Sequence, residues 1–152
     1  MKPFLDILYH LSHLTNLKLY PDQNGACKLL IGENIFVQLE PDFSQENLVI
    51  ASIISEVSVG KFRENVFRHA LVANGAEFPS CGHLCFIPKL NALALYSSLP
   101  FDGLSAEFLV SYILKFAQKV DLWRNSLQRG IAGPIQIKNS APSVPPQFRQ
   151  TR

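Results

Sequence analysis

The densest cluster of chemically capable side chains is Cys81-Gly82-His83-Leu84-Cys85. Two thiols and an imidazole within five residues invite comparison with a metal site or an activated nucleophile. On a strand, period-two alternation puts all three on one face, with the cysteines about 13 Å apart at roughly 3.3 Å per residue. A zinc ion holds each sulfur at about 2.3 Å, so one ion does not reach both. The same span exceeds the separation of about 7 Å that a disulfide tolerates between Cα atoms. Buried thiols acting as small apolar side chains are the expectation, with neither metal nor cofactor. His10, His13 and His69 lie in helical segments and have no motif-level partner, and Ser111 and Ser126 lack a nucleophile-elbow context. The chain contains no GxxxxGK[ST] and no GxGxxG, so nucleotide chemistry of those classes is unsupported.

The elements that would position these residues follow from periodicity. Residues 3–17 read as a helix, with Phe4, Leu8 and Leu11 at i, i+4, i+7 and Pro3 in its first turn. A turn cluster at 21–25 leads to three strands near 26–31, 35–40 and 48–54, joined tightly enough for an antiparallel meander. Residues 61–74 return to helical period, with Phe62, Val66, Ala70 and Ala73 on one stripe and Asn74-Gly75 as the expected stop. Two further strands are expected near 82–87 and 91–98. The longest helix, about 105–125, follows Asp102-Gly103 with Ser105 as N-cap and a stripe of Leu109, Ile113, Phe116, Val120 and Trp123. The expected class is α+β in the order α-β-β-β-α-β-β-α.

Composition narrows the class of function. The 152 residues are 47% hydrophobic and 17% charged, enough apolar surface for one core and little charge to dress its exterior. Residues 1–129 carry 11 basic against 12 acidic side chains, while 130–152 carry Lys138, Arg149 and Arg152 with no acid. The body is therefore near neutral, without the clustered cations of a nucleic-acid face. Three cysteines in a chain with ample core fit a reducing compartment, and neither a signal peptide nor a membrane span is evident. The expected organisation is a folded domain over 1–129 and an irregular, flexible, Pro-containing tail over 130–152.

The strands carry more information than the titratable groups. Leu48, Ile50 and Ile54 are apolar on one side of the third strand, and Val49, Ala51 and Ile53 on the other; Leu29 and Ile31 similarly oppose Leu30. An antiparallel sheet covered on one face normally alternates to polar on the other. A second apolar face calls for the chain's own helices, a twin subunit or a bound polypeptide.

Several segments resemble the class I type III secretion chaperones, the Tir chaperone or CesT family. Leu99-Pro100-Phe101-Asp102-Gly103-Leu104, followed by a helix ending in Leu122-Trp123-Arg124, is similar to that family's LP-x-D-G-L step into a last helix closing on Trp. Leu71-Val72-Ala73-Asn74 resembles the LL-x-x-N end of its middle helix, and Leu19-Tyr20, Asn24-Gly25 and Cys27 to Ile31 resemble its first turn and strand. The near-neutral body and basic tail depart from the family's acidic, compact pattern. The resemblance implies a non-catalytic homodimer in the bacterial cytoplasm. It would bind the N-terminal segment of secreted effectors, hold it extended and deliver it to the secretion ATPase or sorting platform, with no nucleic-acid or membrane partner. It implies cargo contacts at Phe4, Leu8, Leu29, Ile31, Phe36, Val49 and Ile53. It implies a dimer interface at Phe67, Leu71, Leu93 and Leu95. Two other readings compete: a dimeric adaptor of the same fold outside secretion, and a small α/β enzyme using Cys81, His83 or His69.

Overall fold

The computed structural model describes residues 2–76, 81–134 and 147–151. Helix α1 spans Pro3–Thr15, strands β1, β2 and β3 span Cys27–Ile31, Ile35–Pro41 and Asn47–Glu56, and helix α2 spans Lys61–Ala76. Strand β4 (His83–Ile87), a 3-10 turn at Pro88–Leu90, strand β5 (Ala92–Pro100) and helix α3 (Ala106–Gln128) complete the body. A short strand β6, Phe148–Gln150, follows. All six strands form one antiparallel sheet in the order β4-β5-β3-β2-β1-β6.

The expected α+β order is present, with two corrections. The tail expected to be irregular contributes β6, which pairs with β1; residues 135–146 of that tail lie outside the described residues. And α2 does not stop at Asn74-Gly75 but continues to Ala76. Asn74 instead turns its carboxamide onto the outermost strand. Its Nδ2 donates to the Leu84 carbonyl at 2.9 Å and its Oδ1 accepts from the Leu84 amide at 2.8 Å. An outermost strand presents unpaired backbone groups, and one side chain here satisfies two of them.

Helix α3 is the spine of the core. Its expected stripe of Leu109, Ile113, Phe116, Val120 and Trp123 is buried throughout, and Ser105 caps it by accepting from the Phe108 amide at 3.1 Å. The Leu99–Leu104 step has a mechanical explanation. Pro100 ends β5, the Phe101 ring lies 6.5 Å from that of Phe4, and Gly103, at φ +73°, turns the chain into the cap. From the sheet, Leu29, Ile31, Val37, Leu39, Leu48, Ile50, Leu93 and Leu95 are fully buried against the helices. Buried Ser97 meets the Tyr112 hydroxyl, and buried Ser52 donates to the Phe36 carbonyl at 2.7 Å, so neither is left unsatisfied.

At the far end of α3, Arg124 repairs an irregularity in the sheet. The β3–β5 register shifts between Ile53 and Ser55, leaving Ile54 as the extra residue of a bulge. Arg124 Nε donates to the Ile54 carbonyl at 2.9 Å, Nη2 to Ile53 at 2.9 Å and Nη1 to Asn34, in the β1–β2 turn, at 2.8 Å. One planar guanidinium thus ties α3 to a bulge and a turn. Replacing Arg124 with Ala is expected to lower unfolding stability by about 2–3 kcal/mol, the value of hydrogen bonds to a charged group. Lys, with a single ammonium, should recover less than half; urea denaturation of the three proteins measures both.

A second device sits between β2 and β3. The Asp42 carboxylate accepts from the Asn47 side chain at 2.8 Å, from the Glu46 and Asn47 amides, each at 3.1 Å, and from the Ser44 hydroxyl. The Asn47 side chain chiefly, with these amides and Ser44, holds its pKa down at about 2. A carboxylate depressed by folding favours the native state above its unfolded pKa, and that contribution disappears as pH falls through the native value. Asp42→Asn should therefore flatten the stability profile between about pH 4 and pH 2, as thermal melts across that range would record.

Candidate functional site

Strands apolar on both faces need cover on both, and the packed helices supply it on one. Opposite the core, the register aligns Leu30 with Phe36, and Ile53 with Ala94 and then Cys85, in a largely apolar row across the sheet. The next row runs Lys28, Gln38, Ala51, Tyr96, His83. Phe36 is 55% exposed, Ile53 42% and Tyr96 42%, whereas their neighbours on the helix side are fully buried. Val49 sits half-buried on this open face, between Glu40 and Ser98. The result is a shallow apolar band with polar margins, the character of a surface built for a partner.

The expected cargo residues divide between the two faces. Phe36, Val49 and Ile53 lie on the open face. Phe4, Leu8, Leu29 and Ile31 are core residues, each no more than 4% exposed, and none presents an accessible surface. The reason is α3, which packs on the Leu29 and Ile31 side of the sheet together with α1. Of the expected interface residues, Leu93 and Leu95 are core as well, and Phe67 is half-buried with its ring 5.0 Å from Phe86. Leu71 is 72% exposed, and adjacent Val72, not singled out from sequence, is 71% exposed. Leu30, read from sequence as opposing Leu29 and Ile31, lies on the open face, and Tyr96 joins it there although the sequence reading did not name it.

The titratable groups do not converge. The condition under which Cys81, His83 and Cys85 would share one strand face is not met, because Gly82, at φ +88°, breaks the alternation. Strand β4 begins only at His83, and Cys81 turns toward α3, its Sγ 3.7 Å from the Tyr112 carbonyl. A side chain at 82 would be crowded as well as strained, because a Cβ would stand 3.0 Å from Phe116 and 3.1 Å from Leu95 at a positive φ. His83 faces the other way, beside Tyr96, and His69 Nδ1 lies 2.8 Å from the Asn65 carbonyl of its own helix. Burial, reinforced by the Asp22 charge, pushes the Cys27 thiol up to about 11, and burial also raises Cys85. Both are protonated at neutral pH, the opposite of an activated nucleophile. Among the described residues no group of three or more His, Cys, Asp or Glu is placed to hold a metal ion, and no helix is long and apolar enough to cross a membrane.

Comparison with known proteins settles the family. The model of the Tir chaperone protein (CesT) family matches residues 6–124. The chain belongs to the CesT family. Its fold is similar to a chain of the HopA1–SchA chaperone–effector complex, with a TM-score of 0.66 at 19% identity over 81% of this chain and 94% of that one. A chain of the ExsC–ExsE complex gives 0.68 at 18% identity, over 82% and 94%. A chain of the complex between the Yersinia pestis type III secretion chaperone SycH and a fragment of YscM2 gives 0.59 at 16%, over 76% and 95%. No curated protein matches the chain by sequence. The CesT match ends at Arg124, so β6 lies beyond it.

The two faces of the sheet should respond oppositely to charge. Ile31→Asp buries an unpaired carboxylate in the core and should cost at least about 4 kcal/mol. Ile53→Asp leaves its carboxylate in water and should change stability by less than about 1 kcal/mol. Chemical denaturation of the two variants separates the faces.

Proposed function

We propose that this CesT-family chain is a cytosolic type III secretion chaperone that binds the N-terminal segment of effector proteins and keeps it extended for delivery to the secretion apparatus. The open apolar face of the sheet carries the reading: a chain with little charge leaves Phe36, Ile53, Tyr96 and half-buried Val49 where an extended segment can lie across them. The solved relatives named as chaperone–effector complexes support the same partner class.

The mechanism is equilibrium holding, with no catalytic step. Full burial of a large apolar side chain is worth about 1.5–3 kcal/mol, and these side chains are already partly covered, so each contributes about half of that. Several together offset the ordering of the client segment. Release then requires work done elsewhere, by an ATPase or sorting complex that receives the loaded chaperone. Leu71 and Val72 on the outer surface of α2, with half-buried Phe67 behind them, are the apolar group available for a twofold contact between copies. Their separation from Phe36 leaves the open face to the client.

Phe36→Asp and Ile53→Asp should each weaken client capture at least about tenfold, equivalent to about 1.4 kcal/mol, while preserving the circular dichroism spectrum and the mass in solution. Leu71→Asp should halve that mass in light scattering. Native-lysate pull-downs with mass spectrometry supply the client. Recovery of folded partners alone would replace this reading with the adaptor, and recovery of none would overturn it.

A further inference from the structure

The loop between β2 and β3 holds an aromatic ring where no described residue covers it. Its backbone is fixed. The Asp42 carboxylate accepts from the Glu46 and Asn47 amides, the Asp42 amide donates to the Asn47 carbonyl at 2.9 Å, and the Phe101 amide donates to the Glu46 carbonyl at 2.9 Å. Phe43, in this loop, is nevertheless wholly exposed. A large apolar side chain on a loop already ordered loses little freedom when a partner covers it. The charge beside it is of one sign: residues 29–60 contain five acids, Glu40, Asp42 and Glu46 among them, and no Lys or Arg.

The opposite end of β3 is built the other way. The Val57 amide donates to the Asn91 carbonyl at 2.7 Å, which holds the chain leaving β3 against the 3-10 turn at Pro88–Leu90. Val59 and Leu90, within two residues of that bond, are both exposed. Lys61, Arg63 and Lys89 flank them in sequence, and the Arg63 guanidinium lies over the Phe86 ring at 5.0 Å with Nη1 3.4 Å from Asn91 Oδ1. The acids of this segment are Glu56 and Glu64, and Glu64 is already paired with Lys61 at 3.2 Å. The 10 residues of β3 separate the two sites by about 33 Å at roughly 3.3 Å per residue, so one chain does not bring them together.

We propose that these sites are the two halves of a joint between copies of this chain. Phe43 and its acidic loop on one copy dock against Val59, Leu90 and the neighbouring cations of the next. Charge complementarity selects that pairing: acid meets base, whereas loop against loop would set carboxylate against carboxylate. Leu71 lies about 15 Å along α2 from Lys61, so the joint adds to a twofold contact there rather than replacing it. It does not rest on the function proposed above. Because the two halves differ, successive copies close into a ring or extend as their geometry dictates.

Covering one such ring is worth on the order of tenfold in affinity, and a contact this small and charged is weak and loosened by salt. Sedimentation velocity of the full chain, up to about 0.5 mM in about 50 mM salt, should show a mass that rises with concentration. Salt at about 0.5 M should remove most of the rise. Phe43→Asp and Leu90→Asp, both at solvent-facing positions, should each weaken the association about tenfold. An equimolar mixture of the two should associate more strongly than either alone, because each supplies the half the other lacks. Glu46→Lys should also weaken the joint, and adding Lys89→Glu to it should restore association.

Equal association by Phe43→Asp and the unaltered protein overturns the proposal. So does a mixture no stronger than its components, indifference to salt, or a mass constant at every concentration. Should an aspartate variant fail to fold, the Glu46 and Lys89 charge exchange decides alone. Client capture by Phe43→Asp should be unchanged; its loss with self-association intact would assign Phe43 to the client surface and overturn the joint.

Discussion

Among the described residues, six antiparallel strands and three helices leave an imbalance that governs this molecule: the sheet is apolar on two sides and the helices cover one. Leu29, Ile31, Val37, Leu48, Ile50, Leu93 and Leu95 drive folding by packing under α1 and α3. Phe36, Ile53 and Tyr96 on the reverse gain nothing comparable within one chain. Ion pairing does little to redress this, since the salt bridge among the described residues, Lys61–Glu64, is exposed. Stability comes from one face, which leaves the other available for association.

Keeping that open face usable requires a rigid sheet, and two side chains maintain it. Arg124 occupies carbonyls at the β3 bulge and the β1–β2 turn, and Asn74 satisfies the outermost strand at Leu84. Both are polar groups spent on backbone, at places where the regular ladder fails. That use gives the Leu-Val-Ala-Asn and Leu-Trp-Arg segments a structural role. Gly82 is a third such place, where a positive φ under the Phe116 ring turns Cys81 away from His83.

The two ends of the sheet are treated differently. At β4 a side-chain amide seals the backbone locally, whereas at β1 a separate stretch of chain does so through β6.

Hydrophobic period alone determined the element order, the α3 stripe and the existence of two apolar strand faces, because helix and strand periods are properties of neighbouring residues. It also carried the family resemblance, through turn and cap residues at Leu99–Ser105 whose roles are local. Which face the helices would occupy was not legible. Leu29 and Phe36 are equally apolar, and only the packing of α3 makes one of them core and the other surface. Asn74 and Gly82 were misread for a related reason: an Asn-Gly pair looks like a helix stop, and Cys-Gly-His like one strand, until a distant partner competes for the backbone. Strand β6 was hidden because three residues have no period, and their pairing depends on β1, more than a hundred residues away in sequence. Tertiary structure decided every property that depends on a choice between chemically equivalent surfaces.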